Sequence, residues 1–203
     1  MLAGLFGVAY SILSPPFQGP DEHHHLYRAY QVSRGQVVAT RIPGGVGGQI
    51  PDDIAEVGEM FSELRHRPEE KVSGDQIITN LFDRPGTGGT TQAHFEGAAL
   101  YSPVPYLPQA IAIRVGRGLG LPPLILMYLG RFADLAMWIA LVTIALHVAP
   151  IGRWALLVLA LTPMSVFIAG TLSVDPVTNG LSIVWDALFL RMRRETRTLS
   201  HGE

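Results

Sequence analysis

The chain has 203 residues, 48% hydrophobic and 16% charged, with a formal net charge of -2 and no cysteine. The charged share lies below the roughly one-quarter of a soluble domain. The weak negative charge argues against nucleic acid as the main partner, and the missing cysteines exclude disulfides, thiolate catalysis and cysteine metal sites. Few charges fall between Leu121 and Leu190, and most lie between Asp21 and Arg117. The pattern is that of a membrane chain with a polar insertion.

Met1 to Leu13 is apolar but shorter than the roughly 20 residues a membrane helix needs. It has no basic start, and Ser14-Pro15-Pro16 is a poor cleavage site, so a signal peptide fits less well than the end of a first transmembrane helix whose beginning is missing. A helix is expected from about Pro20 to Arg34. Pro20 suits its first position, Asp21 and Glu22 its first turn, and Gly35 its stop. Helical spacing puts Asp21, His25, Arg28 and Val32 on one side, so acid, imidazole and guanidinium share a face.

Gln36 to Ile42 reads as a short strand and Pro43 to Gly48 as a flexible loop. From Asp52 to about His66, the apolar residues Ile54, Val57, Phe61 and Leu64 predict an amphipathic helix that ends near Pro68. Gln76 to Phe82 reads as a strand. Arg84 to Thr91 is a glycine- and threonine-rich loop that lacks the ending of a phosphate loop. The prolines of Tyr101 to Pro108 stiffen the approach to a helix over Gln109 to Gly118. There Arg114 and Arg117 beside Ile111, Ile113 and Val115 suit the lipid headgroup region.

Leu124 to Val148 is long enough to cross a membrane, with Arg131 and Asp134 three residues apart and able to pair. Trp154 to Leu172 predicts a further span kinked at Pro163. After a break at Ser173 to Pro176, where Asp175 suits a helix cap, Val177 to Leu190 predicts a short last span containing Asp186. Arg191, Arg193, Arg194 and Arg197 form a basic stop, and the residues up to Glu203 read as a disordered tail. Basic residues favour the cytoplasm. Counting back from that stop places Asp21, His25, Arg28, Tyr101, Arg131 and Asp175 on one non-cytoplasmic side. The expected organisation is therefore the end of a first membrane helix (1–14), a non-cytoplasmic loop (15–123), about three membrane helices (124–190) and a cytoplasmic tail (191–203).

Several motifs carry a resemblance. They are Pro20-Asp21-Glu22 with His25 and Arg28-Ala29-Tyr30, Tyr101-Ser102-Pro103 with Tyr106-Leu107-Pro108, Arg131, and Pro163-Met164 followed by Ser173, Asp175 and Asn179. In combination, over about Pro15 to Leu190, they resemble the DUF2142 family of predicted polytopic membrane proteins, which is similar to GT-C glycosyltransferases. The resemblance implies a mainly α, polytopic fold with a large α+β loop after the first helix. It also implies a polyprenyl-phosphate sugar donor used on the non-cytoplasmic side of the cell membrane, for envelope polysaccharide or glycolipid assembly. By that likeness Asp21 is the candidate base and Glu22 the second. Family members are longer, so the chain looks truncated.

Glycosyl transfer needs a base near the acceptor and positive groups near the leaving phosphate. Arg28, Arg114, Arg117 and Arg131 have the geometry for phosphate. His25, Arg28, Tyr101, Arg131, Asp175 and Asn179 are the candidate substrate contacts. A divalent metal on Asp21, Glu22 and His25 and a metal-independent inversion are both open. Structural roles compete throughout: Asp21 and Glu22 as dipole partners, Asp21 with His25 as a surface pair, Tyr101 and Tyr106 as interfacial anchors. The alternative from another class is a non-catalytic membrane protein, a transporter subunit or a scaffold for envelope synthesis, for which Arg131, Asp134 and Asp186 are the motive, or an inactive fragment.

Overall fold

The computed structural model describes residues 2–64, 67, 69–84 and 88–200, the side chains of 2, 3 and 196–200 excepted. The fold is mainly helical. Helix α1 (Leu2–Leu13) lies against α7 (Pro123–Val148) and α9 (Pro163–Ala169). Tyr10 meets Phe167 edge-to-face there, with ring centroids 5.6 Å apart. Helix α10 (Asp175–Ser200) packs along α7. Among the described residues only α7 is both long and apolar enough to cross a membrane.

The expected span from Trp154 to Leu172 is two short helices, α8 (Arg153–Ala160) and α9. The break has a local cause. Pro163 cannot donate to the preceding turn, and Thr162 takes over as a cap by accepting from the Ser165 N–H at 3.4 Å. The expected last span, Val177 to Leu190, is part of the longer α10, whose backbone stays helical to Ser200 where a disordered tail was expected. The Arg197 side chain, Pro68 as a helix end and residues 201–203 lie outside what is described.

The polar region has a helix at its centre, α2 (Glu22–Ser33), with ten of its residues buried. It is flanked by α3 (Asp52–Glu59), α5 (Glu96–Ala99), α6 (Leu107–Gly118) and a three-stranded antiparallel sheet of β1 (Thr40–Ile42), β2 (Gly45–Pro51) and β3 (Thr90–His94) in that order. Phe17, Leu26, Ile50, Ile54, Phe95, Tyr106, Ile113, Leu124 and Leu126 form the shared core, which joins this region to the start of α7. Gly35 ends α2 as expected, at φ 80, with its N–H on the Val32 carbonyl at 2.8 Å.

In this region the helix expected from Asp52 to about His66 stops at Glu59, with a 3-10 turn at Ser62–Leu64 beyond it, and two further elements differ in kind. The glycine run read as a loop forms most of β2, because close approach there requires glycine: a Cβ at Gly47 would lie 1.9 Å from the Ala93 carbonyl oxygen on β3. The segment read as a strand from Gln76 to Phe82 is helix α4 (Gly74–Leu81). Ser73 Oγ accepts from the Gln76 N–H at 3.2 Å, and Gln76 Oε1 accepts from the Ser73 N–H at 3.1 Å. This reciprocal cap satisfies two orphan donors and outweighs the β-branched pair Ile77-Ile78.

Candidate functional site

The turn Pro15–Asp21 controls the site. Phe17 and Asp21 both have positive φ, 60 and 52, a conformation that aspartate tolerates and phenylalanine rarely adopts. Phe17 is held there by burial in the core. The helix consequently starts at Glu22, two residues later than the sequence predicts, and the neighbouring carboxylates diverge. Asp21 is exposed, whereas Glu22 is fully buried.

Glu22 meets Arg131 of α7, which is equally buried. Arg131 Nε donates to Oε1 at 2.8 Å and Nη2 to Oε2 at 2.7 Å. The same guanidinium donates through Nη1 to the carbonyls of Ser11 and Ser14, both at 2.9 Å, and through Nη2 to that of Pro15 at 3.0 Å. Glu22 also accepts from the Leu172 N–H at 2.8 Å and the Gly19 N–H at 3.1 Å. All five donors of Arg131 are used, and each carboxylate oxygen accepts twice. The pair locks the end of α1, the head of α2, α7 and the segment after α9 to one another.

This corrects two expectations. Arg131 does not pair with Asp134, whose Oδ2 accepts from the Ser173 N–H at 3.3 Å. Nor are Glu22 and Arg131 open to a substrate: a saturated, water-free ion pair has no lone pair or N–H left to offer. Glu22 is thereby withdrawn from any metal set with Asp21 and His25. Among the described residues no three His, Asp or Glu side chains form a group that could hold a metal ion.

One turn along α2, His25 is nearly buried. Its Nδ1 lies 2.8 Å from the Tyr106 hydroxyl, which donates to the Ala98 carbonyl at 3.2 Å. A hydroxyl has one proton, and Ala98 takes it. With the hydroxyl proton donated to Ala98, Nδ1 carries the hydrogen that Tyr106 accepts and Nε2 is the acceptor nitrogen of the ring. Burial lowers the His25 pKa below its ordinary value of 6.5, and Asp175, Asp21 and Glu22 pull it partly back. Burial likewise pushes the Tyr106 phenol up, against the pull of Arg28. The Tyr101 ring is 6.1 Å from the imidazole, centroid to centroid. Asp21, His25, Tyr101 and Asp175 therefore gather where the heads of α2 and α10 meet the Tyr101–Tyr106 segment. Asp21, Tyr101 and Asp175 are exposed, and Asn179 is exposed one turn further along α10.

Arg28 is placed differently from expectation. It is buried, with Nη2 on the Val37 carbonyl at 2.7 Å and Nη1 on Gln31 Oε1, and it lies 6.0 Å from the Tyr106 ring centroid. It fastens the chain leaving α2 and presents no open face to a ligand. Tyr106, expected as an interfacial anchor, is fully buried and is the group that orients His25. The proline-flanked 3-10 turn Val104–Tyr106 is the signal that could have singled it out, because a rigid turn aims its side chain inward.

The fold is thus that of a helical protein with one candidate membrane span, and an acid–imidazole cluster beside that span's buried ion pair. The chain belongs to the DUF2142 family of predicted membrane proteins, whose model matches residues 4–201. No curated protein and no solved structure matches it.

Proposed function

We propose that the protein is a glycosyltransferase-like membrane protein. It acts on a polyprenyl-phosphate-linked sugar at the non-cytoplasmic side of a multi-pass membrane fold, in envelope polysaccharide or glycolipid assembly. The observation that supports this reading best is the exposed Asp21 carboxylate, at the head of α2, sharing one patch with Asp175 and His25.

In this reading Asp21 takes the proton of the acceptor hydroxyl as its oxygen bonds to the anomeric carbon. The bond from that carbon to the phosphate oxygen breaks, and its electron pair leaves with the phosphate. His25, neutral and with Nε2 as its acceptor nitrogen, orients the hydroxyl or accepts the proton in turn. Tyr101, Asp175 and Asn179 contact the sugar. Arg131 and Arg28 act indirectly: the first holds Glu22, and so the turn that presents Asp21, and the second holds the exit of α2.

The test uses the full chain in lipid nanodiscs with radiolabelled polyprenyl-phosphate sugars. Asp21→Asn lowers transfer by roughly 10²-fold or more, in the range for loss of a positioned base. Equal transfer by wild type and Asp21→Asn removes Asp21 from the mechanism. Absence of transfer from every donor tried, with wild-type protein shown to be folded, favours the scaffold alternative.

A further inference from the structure

At the opposite end of α2 from Asp21, Tyr30, Ser33, Arg34, Arg114, Arg117 and Gly118 line a cavity of about 380 Å³. We infer that this cavity binds the phosphate of a membrane-lipid headgroup, with Arg34 and Arg114 as its cations and the exposed apolar stripe of α6 in the adjoining acyl region.

The first support is charge. Three guanidinium groups line the cavity and no carboxylate does. Arg117 is already balanced, 2.6 Å from Asp53 Oδ2, and lies 5.9 Å from the Tyr30 ring centroid. Arg114 commits only Nη1, to the Ser33 carbonyl at 2.8 Å. The Arg34 guanidinium has no partner among the described residues and is exposed. Two positive charges therefore remain unbalanced beside one concavity, in the fork geometry that phosphate oxygens accept in pairs.

The second support is the neighbouring helix face. Leu107, Ile111, Val115 and Leu119 recur every four residues and are all exposed, the last at 72%. At about 100° per residue they form one stripe, with Arg114 on its edge and Arg117 on the far side of the helix, toward Asp53. A soluble surface gains nothing from such a stripe, whereas a helix lying in a lipid interface needs this pairing of apolar face and basic rim. Leu119 is also only four residues from the start of the candidate span α7 at Pro123. The stripe is therefore continuous with the apolar surface that enters the bilayer, which selects a lipid over a free phosphate as the occupant.

The site is separate from the proposed chemistry. Twelve residues of helix at ~1.5 Å each put it roughly 18 Å from the head of α2, beyond the reach of a sugar phosphate reacting at Asp21. Arg114 and Arg117 are thus assigned away from the leaving group.

The full chain in detergent is titrated with phosphatidylglycerol, with a diacylglycerol of the same acyl chains and with inorganic phosphate, and bound ligand is read by native mass spectrometry. Wild type retains phosphatidylglycerol in preference to both controls. Arg34→Gln with Arg114→Gln weakens that retention by about tenfold or more, and Ile111→Ser with Val115→Ser weakens it too. Should the double arginine variant fold poorly, Arg34→Gln alone, at an exposed and unpartnered position, gives a smaller loss in the same direction. Unchanged retention in the arginine variants overturns the inference. So does inorganic phosphate that binds as tightly as the lipid. Glycosyl transfer plays no part in the readout, so either proposal can fail without the other.

Discussion

Asp21 and Glu22 are adjacent in the chain and share almost nothing in their surroundings. Glu22 sits in a dry clamp where every acceptor position is filled by Arg131, Leu172 or Gly19. Asp21, turned outward by its left-handed backbone, borders a patch where Asp175 is exposed and His25 feels both carboxylates. A saturated ion pair cannot also accept a substrate proton, and an exposed carboxylate contributes little to holding helices together. The division of labour between structure and chemistry therefore runs between two neighbouring residues, which the positive φ of Asp21 itself turns apart.

Breaking the clamp gives the largest effect. Arg131→Met or Glu22→Ala leaves the partner charge buried and alone, and each lowers stability by about 3–5 kcal/mol. Unfolding of the purified protein in detergent measures this. The pair Glu22→Ala with Arg131→Met recovers part of the loss, since no net charge then stays buried. Additive losses in the double variant would count against the clamp.

Tyr106→Phe tests the other side of the comparison. It strips His25 Nδ1 and the Ala98 carbonyl of a shared partner, at a cost of about 1–3 kcal/mol. It also frees the imidazole tautomer, which nitrogen NMR of His25 reads directly. An unchanged tautomer ratio would mean that Tyr106 does not set it.

A milder effect appears with pH. Burial holds folded His25 below 6.5, so the unfolded chain takes the proton first as the solution is acidified. Stability from this group is complete above that value, falls as pH drops beneath it, and levels once folded His25 is also protonated. The groups acting on the imidazole are Asp175, Asp21, Glu22 and His24, with Tyr106 on Nδ1. His25→Gln removes this slope, and Asp21→Asn moves the His25 titration further down. Upward movement in the NMR titration of Asp21→Asn would contradict the placement of Asp21 beside the ring.

The smallest effect on stability is expected at Asp21 itself. Asp21→Asn changes unfolding by no more than about 0.5 kcal/mol, as for an exposed carboxylate whose pull on His25 is screened by solvent. A loss comparable to that of Glu22→Ala would erase the contrast between the two carboxylates.

Much of the fold was legible. The long apolar helix expected from Leu124, which starts at Pro123, and the helices stopped by Gly35 and ending at Gly118 follow from apolar length, from glycine stops and from helical spacing. Strand β2 and helix α4 were not, because a glycine-rich strand needs its neighbour to be recognised, and the reciprocal Ser73–Gln76 cap competes with local β-branched residues. Within the candidate site, the motif around Asp21 and His25 could be read from residue types, whereas the parts of Arg131, Arg28 and Tyr106 could not. Arg131 lies three residues from Asp134, a spacing that predicts a pair, yet Glu22 is the better partner because the Leu172 and Gly19 N–H groups complete its carboxylate while the Ser11, Ser14 and Pro15 carbonyls take the remaining donors of Arg131.

The sequence alone determined that this is a membrane chain, where its long apolar helix runs and which acids, imidazoles and guanidiniums are available, because apolar length and residue type are local properties. Tertiary structure alone decided which of them are spent on holding the protein together. Burial and hydrogen-bond saturation depend on residues more than a hundred positions apart, as Arg131 and Ser11 are, and no local pattern encodes that meeting.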